Sequence, residues 1–300
     1  MSSGIGFIGL GNMGGRMTRR IVDSGREVIG FDAKTENIAL AGAAAGESVA
    51  DVTRRSDLLL LSLPDSHVVE AVVLGPDGVL ANARPGTVIV DLSTSAPAST
   101  RGIHAQMLAK NVAYVDAGIS GGAAGAEAGT LTLMVGGDAA ALETARETLS
   151  TFATNIYHVG ESGAGHTTKL LNNFLNAIAL SATAEVMVAG KKAGLDLAVL
   201  LEVFNKSSGV NFATINRFPK IITGDYLKGG LTNTLMMKDV VLYTELTAEL
   251  GVANLNAAGP LASFGLAKAL GYADEISNTV VDAIGDISGG VRLYEGEKKE

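Results

Sequence analysis

The sequence predicts an α/β protein in two parts. A doubly wound, mostly parallel sheet fills the first half, and a long helix joins it to an all-helical second half. Three observations predict this. Short apolar runs alternate with helix-like stretches as far as residue 160, a glycine-rich turn follows the first run directly, and no strand pattern appears after Gly165. Near-continuous apolar strands separated by helices indicate a parallel sheet covered on both faces.

The strand runs lie at 5–8, 27–31, 58–63, 87–92, 112–117, 131–135 and 156–159. Most end in turn residues and lead into helix-like stretches such as 14–23 and 139–152, while AGAAAG (41–46) reads as a helix end and turn. Beyond Gly165 helical periodicity takes over, at 167–193, 198–206, 212–222, 231–250, 255–270 and 275–283. The predicted division is therefore 1–162 and 163–300.

Composition narrows the function. Of 300 residues 47% are hydrophobic and 18% charged, so the chain can build a sizeable core and is no polyelectrolyte. A net charge of −8 argues against a nucleic-acid or anionic-membrane partner, which needs a basic face. Without cysteine there is no disulfide, thiolate metal site or thiol nucleophile, and His67, His104, His158 and His166 lack ligand spacing, so no metal is expected. MSSGIGFIGLGNMGG has no basic leader, and the apolar run from Leu170 to Gly190 contains Asn172, Asn173, Asn176 and Glu185. Polar groups at that density are costly in lipid, so a buried helix of a cytoplasmic protein is expected.

The glycine-rich turn is the first functional signal. Strand 5–8 runs straight into Gly9-Leu10-Gly11-Asn12-Met13-Gly14, and a helix follows. This is G-x-G-x-x-G in the context that a dinucleotide-binding Rossmann unit requires. The first glycine makes the turn, the second admits a pyrophosphate, and the third packs helix on strand, whose helix N-terminus favours the anion. Asp32 ends the second strand, where a carboxylate accepts from a ribose diol and repels a 2′-phosphate. That favours NAD over NADP, with Lys34 the one contrary feature. Leu63-Pro64 and Ser93-Thr94 close two further strands and fall in the same crevice, although a strand stop and a helix cap explain them equally well.

ESGAGHTTKLLNNFLNAIALSATAEVMVAG (161–190) raises a different question, because a greasy helix carries Lys169, Asn172, Asn173 and Asn176 on one stripe. A solvated face would mix Glu, Lys and Gln, and this one is amide only, which favours a cleft. Lysine suits alcohol–carbonyl redox chemistry as the acid or base at the oxygen, provided desolvation lowers its affinity for the proton. His166, three residues earlier, is the second choice. Ser120-Gly121-Gly122 follows a strand, and its small residues can expose backbone N–H groups that hold a carboxylate, or form a flexible loop.

Taken together, GFIGLGNMG (6–14) with Asp32, SLP (62–64), DLSTSAP (91–97), DAGISGGAAGAEAGTL (116–131), GAGHTTKLLNN (163–173) and MMKDV (236–240) resemble the β-hydroxyacid dehydrogenase family over nearly the whole chain. That family includes 3-hydroxyisobutyrate dehydrogenases and tartronate semialdehyde reductases. The resemblance implies that Lys169 is the acid/base and Asn173 its assistant, and that Ser120, Gly121 and Gly122 hold a substrate carboxylate. It also implies that Thr94 and Lys238 contact the cofactor near the nicotinamide. Asn211 in KSSGVNF (206–212) is a candidate polar contact in the substrate pocket, although SSG is also a helix stop.

One departure stands out: the family's D-A-P-V-S-G-G is Asp116-Ala117-Gly118-Ile119-Ser120-Gly121-Gly122 here, and glycine in place of proline is expected to loosen the approach to the substrate loop. The reading is an NAD-preferring oxidoreductase of a small β-hydroxy acid, 3-hydroxyisobutyrate-like, acting as a homodimer or homotetramer. Its rivals are an imine reductase on the same scaffold, against which the retained Lys169 with Asn173 argues, and a catalytically silent NAD-binding protein.

Overall fold

A computed structural model describes residues 4–227 and 230–295. The chain divides into two compact units, Met1–Lys169 and Leu170–Glu300.

The first unit is built on eight strands: β1 (Ile5–Ile8), β2 (Val28–Phe31), β3 (Ala44–Ala45), β4 (Leu58–Leu61), β5 (Val88–Asp91), β6 (Ala113–Ser120), β7 (Leu131–Gly136) and β8 (Ala153–Gly160). They form one sheet in the order β3-β2-β1-β4-β5-β6-β7-β8. All neighbours are parallel except β6 and β7, so the sheet is mostly parallel as expected. Its helices are α1 (Gly14–Asp23), α2 (Thr35–Ala41), α3 (Val49–Arg54), α4 (Ser66–Leu74), α5 (Val79–Asn82), α6 (Pro97–Leu108), α7 (Gly122–Ala128) and α8 (Ala139–Leu149).

Strand alternation explains why apolar residues run on without interruption. Leu58 and Leu60 belong to one core, with Phe7, Val88 and Val90, while Leu59 and Leu61 belong to the other, with Ile8 and Ile89. Both faces are buried, so both sets of side chains are greasy.

The second unit takes most of α9 (Ala164–Lys192), followed by α10 (Leu197–Asn205), α11 (Phe212–Asn216), α12 (Phe218–Ile221), α13 (Asn233–Glu249), α14 (Ala258–Ala269) and α15 (Val280–Ile287). By length and composition α9 could cross a membrane, yet 56% of its most apolar window is buried within the protein. Phe174, Ala177, Leu180, Ala184, Met187 and Val188, at helical spacing, enter the core of the helical unit.

Among the differences from expectation, three have a plain physical cause. Ala44–Ala45 is an edge strand paired to Ile29 and Gly30, not a turn; two alanines carry no strand signal of their own, and the pairing comes from β2. The stretch 212–222 is two helices, because Pro219 lies in the first turn of α12 and cannot donate the bond a continuous helix needs. Lastly, β6 does not stop at residue 117. It continues to Ser120 through antiparallel pairing with β7, with Gly118 opposite Met134.

Candidate active site

In the first unit, the carboxyl edge of the sheet gathers the predicted cofactor residues. β1, β4, β5 and β6 are parallel and in register, Ile8 beside Leu61, Leu61 beside Asp91, and Asp91 beside Asp116. The segments that leave these strands, Gly9–Gly14, Leu63-Pro64, Ser93-Thr94 and Ser120–Gly122, therefore emerge at one edge.

The three glycines of the turn do different work. Gly9 has φ +89°, and a Cβ there would lie 2.3 Å from the Ser62 carbonyl oxygen. At Gly14 a Cβ would lie 1.9 Å from the Gly9 carbonyl oxygen, so helix and turn meet backbone to backbone. Gly11 is the contrast, since a Cβ would meet no atom within 4 Å. Its missing side chain keeps surface clear, not core. The first turn of α1 carries no acidic residue. Open space over the second glycine and an uncontested helix start fit a dinucleotide pyrophosphate.

Asp32 clasps this turn. Its carboxylate accepts from the backbone N–H of Leu10 (2.6 Å) and Lys34 (2.8 Å) and from the side-chain amide of Asn37 (3.1 Å). A cleft of about 410 Å³ beside it is lined by Gly11, Asn12, Arg16, Arg19, Lys34 and Asn37. Arg16 is drawn back to the turn, donating to the Asn12 backbone oxygen at 2.7 Å. Met13 is partly buried against the core beneath the turn. At the neighbouring strand ends the Ser93 hydroxyl accepts from Leu63 N–H at 2.9 Å, while Ser93 N–H donates to buried Asp91 at 3.0 Å. Leu63, Pro64 and Thr94 are thus held on a cross-linked ledge.

The sheet edge continues at β6. Gly118 is buried within the paired strand, so the expected loosening does not occur. Its use is close approach: a Cβ there would lie 2.5 Å from Lys169 Cβ and 3.2 Å from Lys169 Cγ. The lysine stem lies on the bare backbone of β6, two residues before Ser120. Gly121 (φ +125°) and Gly122 (φ +62°) then turn the chain into α7, and both are exposed. A side chain at either would be strained, by ~1–2 kcal/mol in the left-handed region. His166 is fully buried with Nδ1 2.8 Å from the Thr100 hydroxyl, a structural placement that leaves Lys169 as the acid–base candidate.

Within the helical unit the amide stripe has specific partners. Asn173 is buried and donates to the Asp239 carboxylate (2.5 Å), which also pairs with Lys238 Nζ at 3.4 Å. One buried aspartate thus ties Asn173 to Lys238. Asn176 accepts from Arg217 at 3.0 Å, and Arg217 also donates to Asn278 at 2.6 Å. Burial pushes the Arg217 guanidinium down to about 10, and the two amide oxygens supply its acceptors without a carboxylate. Asn172 is exposed and joins this network only at its rim, its amide donating to the Asn173 side-chain oxygen at 3.4 Å. Asn211 does not present a free amide: it caps α11, accepting from Ala213 and Thr214 N–H, and its amide meets Thr183. The polar residue after SSG starts the next helix.

Sequence reasoning passed over Asp116, Asp239 and Arg217. The signal for Asp116 was present, since it is the lone carboxylate of β6, whereas Asp239 shares α13 with Glu245 and Glu249; both aspartates are almost fully buried. Burial of a carboxylate demands partners.

Comparison with known proteins gives the family. Residues 4–160 match the NAD binding domain of 6-phosphogluconate dehydrogenase, and residues 163–283 match the NAD-binding region of NADP-dependent 3-hydroxyisobutyrate dehydrogenase. An NAD-dependent L-serine dehydrogenase of Pseudomonas aeruginosa is 42% identical, across 80% of this chain and 84% of that one. A 2-(hydroxymethyl)glutarate dehydrogenase of Eubacterium barkeri is 41% identical, across 82% of each. Among solved structures, a Mycobacterium tuberculosis 3-hydroxyisobutyrate dehydrogenase with L-serine is 31% identical, covers 95% of this chain and 99% of its own, and superposes with a TM-score of 0.85.

Proposed function

We propose, for a chain that belongs to the 3-hydroxyisobutyrate dehydrogenase family of hydroxyacid dehydrogenases, that it oxidises or forms a small β-hydroxy acid with Lys169 as proton acceptor and donor. The observation that carries this reading is the lysine stem seated on Gly118, at the same sheet edge as the glycine turn and Ser120. A bound nicotinamide supplies the hydride acceptor or donor. In the oxidative direction Lys169 Nζ takes the hydroxyl proton as hydride leaves the carbinol carbon, so the C–H and O–H bonds break and the C=O bond forms. In reduction the same ammonium returns the proton to the oxygen. The Ser120 hydroxyl and the backbone N–H groups of Gly121 and Gly122 bind the substrate carboxylate, and their left-handed backbone presents those donors without side chains in the way. Asn173 and Lys238 keep the assisting and cofactor roles that the family resemblance implies, both stiffened by Asp239.

For the cofactor we infer a preference for NAD. Gly9, Leu10, Gly11, Asn12, Met13 and Gly14 form the cradle, with Leu63, Pro64 and Thr94 on the adjoining ledge. Asp32 stands where a 2′-phosphate would meet its charge, while Arg16, Arg19 and Lys34 line the same cleft and oppose that repulsion. Neutralising Asp32 is the sensitive test. Asp32→Asn is expected to lower the NADPH-over-NADH ratio of dissociation constants by about tenfold, or ~1.4 kcal/mol. Fluorescence titration of both reduced cofactors measures it, and an unchanged ratio would remove Asp32 from cofactor choice.

Self-association through the helical unit is the remaining part of the reading. Leu175 (67% exposed), Val199 (56%), Phe212 (59%) and Ile215 (53%) leave large apolar side chains in water. Exposed apolar side chains that come together in one patch mark interfaces. Light scattering should return a multiple of the 30.6 kDa chain mass, halving or falling further in Phe212→Glu; a monomer at micromolar concentration overturns this part alone.

A further inference from the structure

We propose that Asp116 is the positioning residue for Lys169, a role that rests on the reading of Lys169 as acid and base. The long helix α9 begins at Ala164, and the residue before it is glycine, with no side chain to cap the first turn. Asp116, 47 and 50 residues upstream on β6, does the capping instead. Its Oδ1 accepts from Gly163 N–H at 2.7 Å and its Oδ2 from His166 N–H at 2.8 Å. Asp116 is fully buried, so both bonds are sheltered from water. A carboxylate at the positive end of a helix is also favoured by the aligned peptide dipoles. Capping from a distant strand differs from local capping in one respect. It fixes the height and phase of the helix against β6, and not merely its start.

Glycines make the contact close enough to matter. At Gly165 a Cβ would lie 2.4 Å from the Met134 carbonyl oxygen and 2.5 Å from that of Asp116. At Gly136 it would lie 2.7 Å from Gly165 N and 2.8 Å from Ala164 N. Thr100 braces the same turn through His166 Nδ1 at 2.8 Å. Asp116 and Gly118 are two apart on β6 and share one face. The first holds the helix start, and the second receives the stem of Lys169 one turn later. With both in place the first carbons of the lysine are set relative to Ser120 by the strand itself. Neither residue touches substrate; both act through Lys169.

Two variants test this. Asp116→Asn keeps the volume but presents an NH2 to one of the two amides, and Gly118→Ala puts a methyl against the lysine stem. Either is expected to lower kcat by on the order of 10²-fold, the usual cost of a misplaced group. The KM for the hydroxy acid and NADH binding should stay near wild-type. In a Lys169→Ala background Asp116→Asn should cost nothing further, because residues that act as one unit are not additive. A readout independent of turnover comes from reductive 13C-methylation. The Lys169 resonance, assigned by its loss in Lys169→Ala, should move in Asp116→Asn. A folded Asp116→Asn protein with wild-type kcat and an unmoved resonance overturns the proposal, as does an equal loss in the Lys169→Ala background. If Asp116→Asn does not fold, Gly118→Ala carries the same two readouts. Should Lys169→Ala itself retain turnover, the acid–base reading fails, whereas a moved resonance still reports the clamp.

Discussion

Lys169→Ala is expected to lower turnover of the best hydroxy acid by about 10²–10⁴-fold, the range typical of a lost general acid or base. NADH binding should be retained. The expectation rests on where the side chain is anchored. Its Cβ and Cγ lie against Gly118, inside the first unit, so truncation removes the amine without opening a cavity in either core. The glycine turn, the Asp32 clasp and the Leu63–Ser93 bond are untouched by the change. A loss confined to kcat then marks a group used in the transition state and not in binding. Lys169→Arg sharpens the result. Arginine keeps the positive charge but does not release a proton near neutral pH, so it should leave substrate binding unchanged and turnover low. The measurement is NADH appearance from NAD⁺ with a panel of small hydroxy acids, alongside fluorescence titration of NADH. Full turnover in Lys169→Arg would show that the lysine acts as a charge, and full turnover in Lys169→Ala would remove it from the chemistry.

Much of this architecture is legible in the sequence for a physical reason. A parallel sheet buried on both faces must be written as unbroken apolar runs, and Leu58–Leu61 is one. The glycine turn is equally legible because Gly9 and Gly14 are demanded by backbone approach, which no other residue permits. What stayed hidden depends on pairing between distant segments. Ala44–Ala45 becomes a strand only because β2 offers an edge. The extension of β6 to Ser120 is created by β7. Gly118, expected to loosen a loop, instead lets Lys169 lie on a strand, a relation that no local pattern encodes. The stripe of Asn173 and Asn176 was visible, but not its partners Asp239, 66 residues away on α13, and Arg217, 41 residues away between α11 and α12. Asn211 shows a local role that the sequence reading weighs only as a helix stop. It reads as a candidate substrate contact, and the structure shows its side chain capping the start of α11.

Gly14→Ala and Gly11→Ala, three residues apart in one turn, are expected to fail in different ways. In Gly14→Ala the new Cβ would have to sit 1.9 Å from the Gly9 carbonyl oxygen and 3.0 Å from its carbon. Both are backbone atoms held by the Gly9 N–H bond to the Phe31 carbonyl at 2.9 Å, so neither a rotamer change nor a flexible side chain can give way. Helix α1 must move off β1, at a cost of about 3 kcal/mol, the upper part of the overpacking range. A midpoint of thermal unfolding lower by roughly 6 °C or more follows for a unit of this size. Gly11→Ala meets nothing, and the Gly11 backbone does not lie in the left-handed region. Its stability should therefore match the parent, or exceed it slightly through the stiffer unfolded chain, by ~0.4–1 kcal/mol. Yet the added methyl would stand where a pyrophosphate must approach, and NADH affinity should fall by about tenfold or more, ~1.4 kcal/mol per decade. Thermal scans and NADH titrations on the two proteins separate these outcomes. Gly11→Ala binding NADH as well as the parent would mean the dinucleotide does not cross this turn, and the cradle would have to be sought elsewhere on the sheet edge. Equal thermal losses in the two variants would instead mean that Gly11 serves packing as Gly14 does, which the open space around it contradicts.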